Sequence, residues 1–274
     1  MTNSTKKNNI FSILLNLSII VFLTGCEEKI NLDLKTTDPI LVVNGMITNE
    51  MKAHTVKLSL STSYFYNQPA PNVSGAIVTI TDNEGNLYKL KESSPGIYQT
   101  ESNVNGKIGN TYTLKIKYNE KEYTSVSTMR RSVSIDSLGY KKTRDDKNYH
   151  LLMYAQEPLG KGDYYLWHTY VNNQIKTDTV KNAIFTDDSE VDGNYINGFE
   201  MDNIRLNEGD SAFIKTYSIT KDAYDFYMSM MFETAWRGGL FDAPPANIKS
   251  NISGGAIGLF VASAVTESKH IKIK

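Results

Sequence analysis

One cysteine stands in 274 residues, and this scarcity excludes more than any other feature of the composition. With Cys26 alone there can be no internal disulfide, no cysteine-based zinc cluster and no Cys-X-X-Cys redox pair. A surplus of one charge is missing too. Lys and Arg number 29 against 30 Asp and Glu, a formal net charge of -1, so the balance offers no polyanion-binding surface and no nucleic-acid partner. Apolar runs are short. As helices, Ile10 to Leu23 would reach roughly 21 Å and Ala256 to Val265 about 15 Å, both short of the ~30 Å hydrocarbon core of a bilayer.

Catalytic signatures are equally scarce. No Gly-X-Ser-X-Gly elbow, Walker loop, His-Glu-X-X-His helix or cofactor motif occurs. His54, His150, His168 and His270 lack metal-ligand spacing and read as surface or strand-packing residues. Ser218-Ile219-Thr220-Lys221 has the Ser-X-X-Lys pattern of penicillin-binding proteins, but the companion Ser-Asp-Asn and Lys-Thr-Gly elements are missing, so it reads as coincidence. Asp187 to Asn194 gathers the hard oxygen donors that calcium requires, with Asp188, Glu190, Asp192 and Gly193 at positions one, three, five and six of a calcium loop. Position twelve is Phe199, with Glu200 one residue late, which removes the bidentate ligand. The segment therefore reads as a solvated turn, and no metal is assigned. Asp145-Asp146, beside Lys141, Lys142 and Arg144, reads as a solvated loop.

What the chain does contain begins at its N-terminus. Lys6 and Lys7 precede the apolar run from Ile10 to Leu23, and small residues follow, the layout of a signal peptide. Leu23-Thr24-Gly25-Cys26 resembles the lipobox of bacterial lipoproteins. That resemblance implies cleavage before Cys26, a diacylglyceryl group on its sulfur and usually an acyl chain on the new amino group. At about 0.8 kcal/mol per buried CH₂, two or three such chains make a lasting anchor. The alternative is ordinary secretion with Cys26 unmodified. Residues 1–25 are thus expected to be a lipoprotein signal peptide, and residues 26–38 a charged, solvated tether.

From Pro39 the apolar period becomes two. Val56, Leu58 and Leu60 alternate with Lys57, Ser59 and Ser61, and Tyr112, Leu114, Ile116 and Tyr118 alternate with Thr111, Thr113, Lys115 and Lys117. Asp82-Asn83-Glu84-Gly85-Asn86 and Tyr118-Asn119-Glu120-Lys121 read as tight reversals between such runs. The protein is therefore expected to be mainly β, with an immunoglobulin-like or transthyretin-like sandwich over 39–131. Near Met129 to Ser132 the alternation lapses, and residues 132–274 are expected to form a second β-rich domain. Tyr149 to Gln156 and Tyr164 to Val171 are apolar on both faces, as central strands covered on each side would be. Ala223, Tyr227, Met230 and Thr234, with Tyr224, Met228, Met231 and Ala235, recur at helical spacing, predicting one packed helix over 221–236. Asp222 suits its start and Gly238-Gly239 its stop.

Two aromatic-bearing loops stand out, Tyr64 to Pro69 and Leu240 to Pro245. Exposed aromatics anchor partners or stack on sugars, which makes Tyr64, Phe65, Tyr66 and Phe241 the candidate partner-binding residues. The plainer reading is that both loops tuck against their own domain.

Several segments in order, among them Leu41 to Thr48, Val73 to Ala76, Pro95 to Tyr98, Asp192 to Tyr195 and Asn251 to Gly258, resemble an uncharacterised family of outer-membrane lipoproteins of Bacteroidota. Where that family usually has prolines after the methionine closing its first domain, this chain has Arg130-Arg131. The resemblance carries no catalytic residue. It implies a TonB-dependent receptor as partner, since such proteins are often encoded beside one, and a nutrient or glycan as ligand. Glu27-Glu28 looks like the acidic signal that sends lipoproteins of this phylum to the outer face, and Asp136-Ser137-Leu138, Asp178-Thr179-Val180 and Asp210-Ser211-Ala212 match its loose O-glycosylation pattern. The resulting expectation is a non-enzymatic binding or accessory protein, held in the outer membrane by lipid on Cys26 and facing the exterior, the periplasmic face being the alternative. A structural or adhesive surface protein is the rival, and a hydrolase ranks below both.

Overall fold

A computed structural model describes residues 38–62, 68–235 and 248–274. Pro39–Lys274 forms one compact unit. Its strands are β1 (Leu41–Thr48), β2 (Thr55–Leu60), β3 (Ile77–Asp82), β4 (Leu87–Ser94), β5 (Ile97–Gln99), β6 (Thr111–Tyr118), β7 (Lys121–Thr128), β8 (Ile135–Lys142) and β9 (Tyr149–Gln156). There follow β10 (Tyr164–Val171), β11 (Gln174–Ile175), β12 (Ile184–Asp187), β13 (Tyr195–Leu206), β14 (Ser211–Ile219), the helix α1 (Lys221–Ala235), β15 (Ile257–Ser263), β16 (Val265–Glu267) and β17 (Ile271–Lys272). The protein is mainly β with one helix, as the patterning predicts.

The runs read as alternating, β2 and β6, do alternate, and β1 shares their buried face. Leu41, Val43 and Ile47 of β1, Val56 and Leu58 of β2, and Tyr112, Leu114 and Ile116 of β6 point into one core, while Lys57, Lys115 and Lys117 stay in water. Both reversals form. Asp82 accepts the Glu84 and Asn86 amides at 3.0 and 2.9 Å, with Gly85 at φ 89° closing the β3–β4 turn. Asn119 and Glu120, at φ 47° and 62°, give β6–β7 the paired left-handed residues of a type I′ hairpin.

These strands make one eight-stranded sheet in the order β15-β1-β2-β5-β4-β3-β6-β7. It is nearly closed. Its two ends approach where Ala262 of β15 donates its amide to the buried Ser127 Oγ of β7 at 2.9 Å. The expected boundary at 131 therefore does not separate two chain-continuous domains, because β15, from the far end of the sequence, pairs parallel with β1 from Val42↔Ile257 to Thr48↔Ser263.

The second half builds two more sheets. In one, β10 pairs along its length with β14, with β11 and β12 beyond β10 and β16 and β17 beyond β14. The other is β13-β9-β8. Leu151, Met153 and Ala155 of β9 meet Tyr165 and Trp167 of β10 and Ile214 of β14 in a second core. The opposite face of β10 and β14, Leu166, Tyr217 and Ile219, packs with Ala223 of α1 and with Leu259 and Val261 of β15. So β10 is covered on both faces, as read. On β9 the fully buried apolar residues are the alternate Leu151, Met153 and Ala155, with Leu152 and Tyr154 half-buried. Thr220 caps α1, its Oγ1 accepting the Ala223 amide at 3.3 Å, and Asp222 stands in the first turn, at the positive end of the helix, as read.

Polar contacts link the halves as well. Lys215 of β14 donates to Glu50, just after β1, at 2.9 Å and lies 3.2 Å from Glu267 of β16. Burial would raise the Glu50 pKa, but Lys52 and Lys215 outweigh it and hold the carboxyl at about 2, against an ordinary 4.5.

Two outcomes are expected. A Cβ at Gly258, φ 124°, would stand 1.9 Å from the Val43 carbonyl oxygen, whereas one at Gly255, φ 83°, meets nothing. Gly258→Ala should thus cost more than about 3 kcal/mol and Gly255→Ala about 1, in urea titrations that show one transition. Equal costs would mean that the β1–β15 register is not the constraint argued here. Second, a carboxyl whose folded pKa is depressed adds stability above its unfolded value and loses it as pH falls through the folded one. Glu50→Gln should cost on the order of 1–2 kcal/mol at pH 7, after allowance for solvent screening, and only a small fraction of that by about pH 2. A cost independent of pH would rule out the charge as its source.

Candidate functional site

Cys26, Tyr64, Phe65, Tyr66 and Phe241, the residues singled out for lipidation and partner binding, lie outside the described residues. The structure draws the eye elsewhere, to the loop of residues 157–163 between β9 and β10. Its sequence, Glu157-Pro158-Leu159-Gly160-Lys161-Gly162-Asp163, folds through two glycines at positive φ, 120° at Gly160 and 104° at Gly162.

Three side chains from outside hold this loop. Arg131, just after β7, donates from Nε to Asp163 Oδ2 at 2.7 Å and from Nη2 to the carbonyls of Pro158, Leu159 and Gly160 at 3.2, 3.0 and 2.9 Å. Asp188, just after β12, accepts the Gly162 and Asp163 amides on its two oxygens at 3.0 and 3.1 Å. Asp192 accepts the Gly160 amide at 2.6 Å. The turn after β12 is therefore not simply solvated, as its composition suggested. Asp188 is 2% exposed, because its oxygens serve backbone donors that would otherwise be orphaned. Nor are Arg130-Arg131 a plain replacement for linker prolines, since Arg131 fastens the segment after β7 to the β9–β10 loop.

Beneath the loop three acids converge. Glu157, Asp163 and Asp188 are all buried, and each offers a carboxylate oxygen within 4.8 Å of the other two. Tyr165 donates its hydroxyl to Glu157 Oε1 at 2.7 Å, while Glu157 Oε2 is buried without a hydrogen-bond partner. Burial pushes the Glu157 pKa up; the Tyr165 hydrogen bond opposes this, and the charges of Asp163 and Asp188 add to it. Burial, reinforced by Glu157, also raises the Tyr165 phenol, so it stays a proton donor. Asp188 was visible in the sequence as a candidate oxygen donor. Glu157 and Asp163 were not, since nothing in an acid's sequence neighbours announces burial beside a residue some 25 positions away.

Two clefts have different chemistry. A polar one of about 690 Å³ is lined by Lys141, Lys142, Arg144, Asp145, His150 and Arg205, among others. Much of its charge is engaged: Lys141 and His150 lie 2.5 and 2.8 Å from Glu200, and Arg205 reaches His150 Nε2 at 2.8 Å. Asp145 there is solvated, as read. The other, about 430 Å³, lies between α1 and the strands beneath it, where Leu166, His168, Phe185, Tyr227, Met230 and Leu259 contribute. Burial lowers the His168 pKa to about 4, so its ring is neutral. The other histidines have packing roles: buried His54 accepts the Thr48 amide on Nδ1 at 3.3 Å and faces the Val104 carbonyl with Nε2 at 3.0 Å, and His270 stacks on Phe213 at 4.3 Å.

Residues 27–269 match the model of a family described as a domain of unknown function, DUF4249, and the chain belongs to that family. Among curated proteins nothing matches it.

The clamp gives a direct test. Arg131→Met leaves the 2%-exposed Asp163 carboxylate with only the more distant Arg130, at 3.8 Å, and should cost about 3 kcal/mol in chemical denaturation. Adding Asp163→Asn removes the stranded charge and should recover at least half of that loss. No recovery would show that Arg131 acts through its carbonyl contacts instead.

Proposed function

We propose that this member of the DUF4249 family is a non-enzymatic binding protein, held in the outer membrane by lipid on Cys26 and displayed on the cell surface, where it serves as an accessory subunit of a TonB-dependent uptake system. The observation that carries the reading is Leu23-Thr24-Gly25-Cys26, placed directly after a basic start and an apolar run of signal-peptide length. Once cut and acylated there, the protein needs no spanning segment, and no helix among the described residues is long and apolar enough to cross a membrane.

Binding rather than turnover is supported by the cleft under α1. It is lined largely by apolar and aromatic side chains, with the neutral His168 imidazole as a hydrogen-bonding group, the composition of a site that captures a small ligand. The TonB-dependent partner and the outward face rest on the resemblance stated above and on Glu27-Glu28.

Cells grown with an alkyne fatty acid should label the wild-type chain and leave Cys26→Ala unlabelled and in the soluble fraction. Purification through a C-terminal tag from gently solubilised outer membranes should bring a TonB-dependent receptor in stoichiometric amount. A labelled Cys26→Ala chain would end the lipoprotein reading, and recovery of the lipoprotein alone would end the accessory role.

A further inference from the structure

We propose that Glu157, Asp163 and Asp188 form a buried binding site for a hard divalent cation, calcium by preference, independent of the lipid anchor and of the cleft under α1. The first observation is geometric. Three carboxylates from the β9–β10 loop and the turn after β12 bring oxygens within 4.8 Å of one another. Calcium bonds oxygen at about 2.3–2.6 Å in irregular all-oxygen cages and so bridges oxygens up to roughly 5 Å apart, whereas magnesium gives up its waters reluctantly and is poorly served by a buried all-protein site.

The second observation is the state of Glu157. The residue is 1% exposed, Tyr165 occupies Oε1, and Oε2 is buried with no hydrogen-bond partner. A buried carboxylate oxygen without a donor is among the costlier groups a protein can hold, and it is stabilised by hydrogen bonds or by a cation. The surrounding donors are already committed: the Gly162 and Asp163 amides to Asp188, and Arg131 to Asp163 and the loop carbonyls.

Charge balance points the same way. Three buried carboxylates face two guanidiniums, Arg131 at 2.7 Å and Arg130 at 3.8 Å from Asp163, both more than 40% exposed and so partly screened by water, which leaves an excess of negative charge that a divalent ion offsets. Asp188 was also the residue at position one of the incomplete calcium loop read from the sequence. The ligands it lacked there come from a different segment, across space.

The test uses the full chain in detergent, stripped with a chelator and dialysed. Terbium added to it should give saturable luminescence sensitised by Tyr165 and Trp167, displaced by calcium. Calorimetry should find one calcium per chain, with a Kd on the order of micromolar to 0.1 mM. Glu157→Gln, close to isosteric, should weaken calcium at least tenfold while leaving the near-ultraviolet circular dichroism unchanged. Glu190→Gln, exposed in the same turn and outside both the triad and the clamp, should change affinity less than threefold. Absence of terbium luminescence and of saturable calcium heat in the wild-type chain overturns the proposal without any variant. So does calcium binding unchanged in Glu157→Gln, and equal affinity for magnesium overturns the preference for calcium.

Discussion

The parallel pairing of β1 with β15 is the contact on which the rest of the structure depends. It joins segments more than two hundred residues apart, at Val42↔Ile257 and onward, so neither end of the chain completes its sheet without the other. Gly258 makes the approach feasible, its missing Cβ leaving room for the Val43 carbonyl. Around this pair other groups converge. Asn251 pairs with both backbone groups of Phe260, Ser127 takes the Ala262 amide, and Ser218 takes the Ala264 amide while donating to the Arg130 carbonyl. Those serines do with side chains what a ladder does with backbone, stitching β15 to β7 on one side and to β14 on the other. A closure of such sequence separation loses much loop entropy before it gains contacts, so it belongs late in folding.

Much of this was legible locally. Alternation placed β2 and β6, the turn chemistry of Asp82 to Asn86 and of Asn119-Glu120 placed the two hairpins, and helical spacing placed α1, because each signal lies within a few residues of its cause. The return of β15 was not legible. Ala256 to Val265 reads as a buried strand wherever it goes, and its partner is selected by shape at Gly45, Val56 and Phe260, which meet only in the folded state. The expected break at 131 failed for the same reason. A lapse in alternation marks where strands stop, yet whether two halves separate is decided by what later returns. The candidate acids followed the same rule: Asp188 stood in a visible acidic run, while Glu157 and Asp163 acquire their character only when the β9–β10 loop folds under Arg131.

That loop shows charge used where apolar packing cannot serve. Three of its carbonyls point at Arg131 and three of its amides at Asp188 and Asp192, so backbone groups with no strand to pair with turn toward ionic partners. Such a clamp is not an economical source of stability, since desolvating an ion pair offsets most of its attraction and an apolar replacement is often as good. What it supplies is position. It holds Asp163 and Asp188 against Glu157 with little freedom, at a spacing set by backbone hydrogen bonds rather than by flexible side-chain contacts.

The cleft under α1 is built on the opposite principle. The helix is apolar on two stripes because the sheet of β10 and β14 lies on one side and β15 on another, and the space left between them is walled by Leu166, Phe185, Phe226, Tyr227 and Leu259. Its ionisable lining is small: Asp178 is exposed, and His168 is held neutral by burial, resting on the Tyr217 ring at 4.8 Å. An anionic ligand would lose hydration there and find no counter-ion in the lining, whereas a neutral one with an aromatic or aliphatic face would exchange water for packing and find one imidazole able to donate or accept. The physical chemistry of the cavity therefore weighs against an anion within it, and the two parts of the protein differ in kind: the clamp concentrates charge, and the cleft under the helix presents apolar surface.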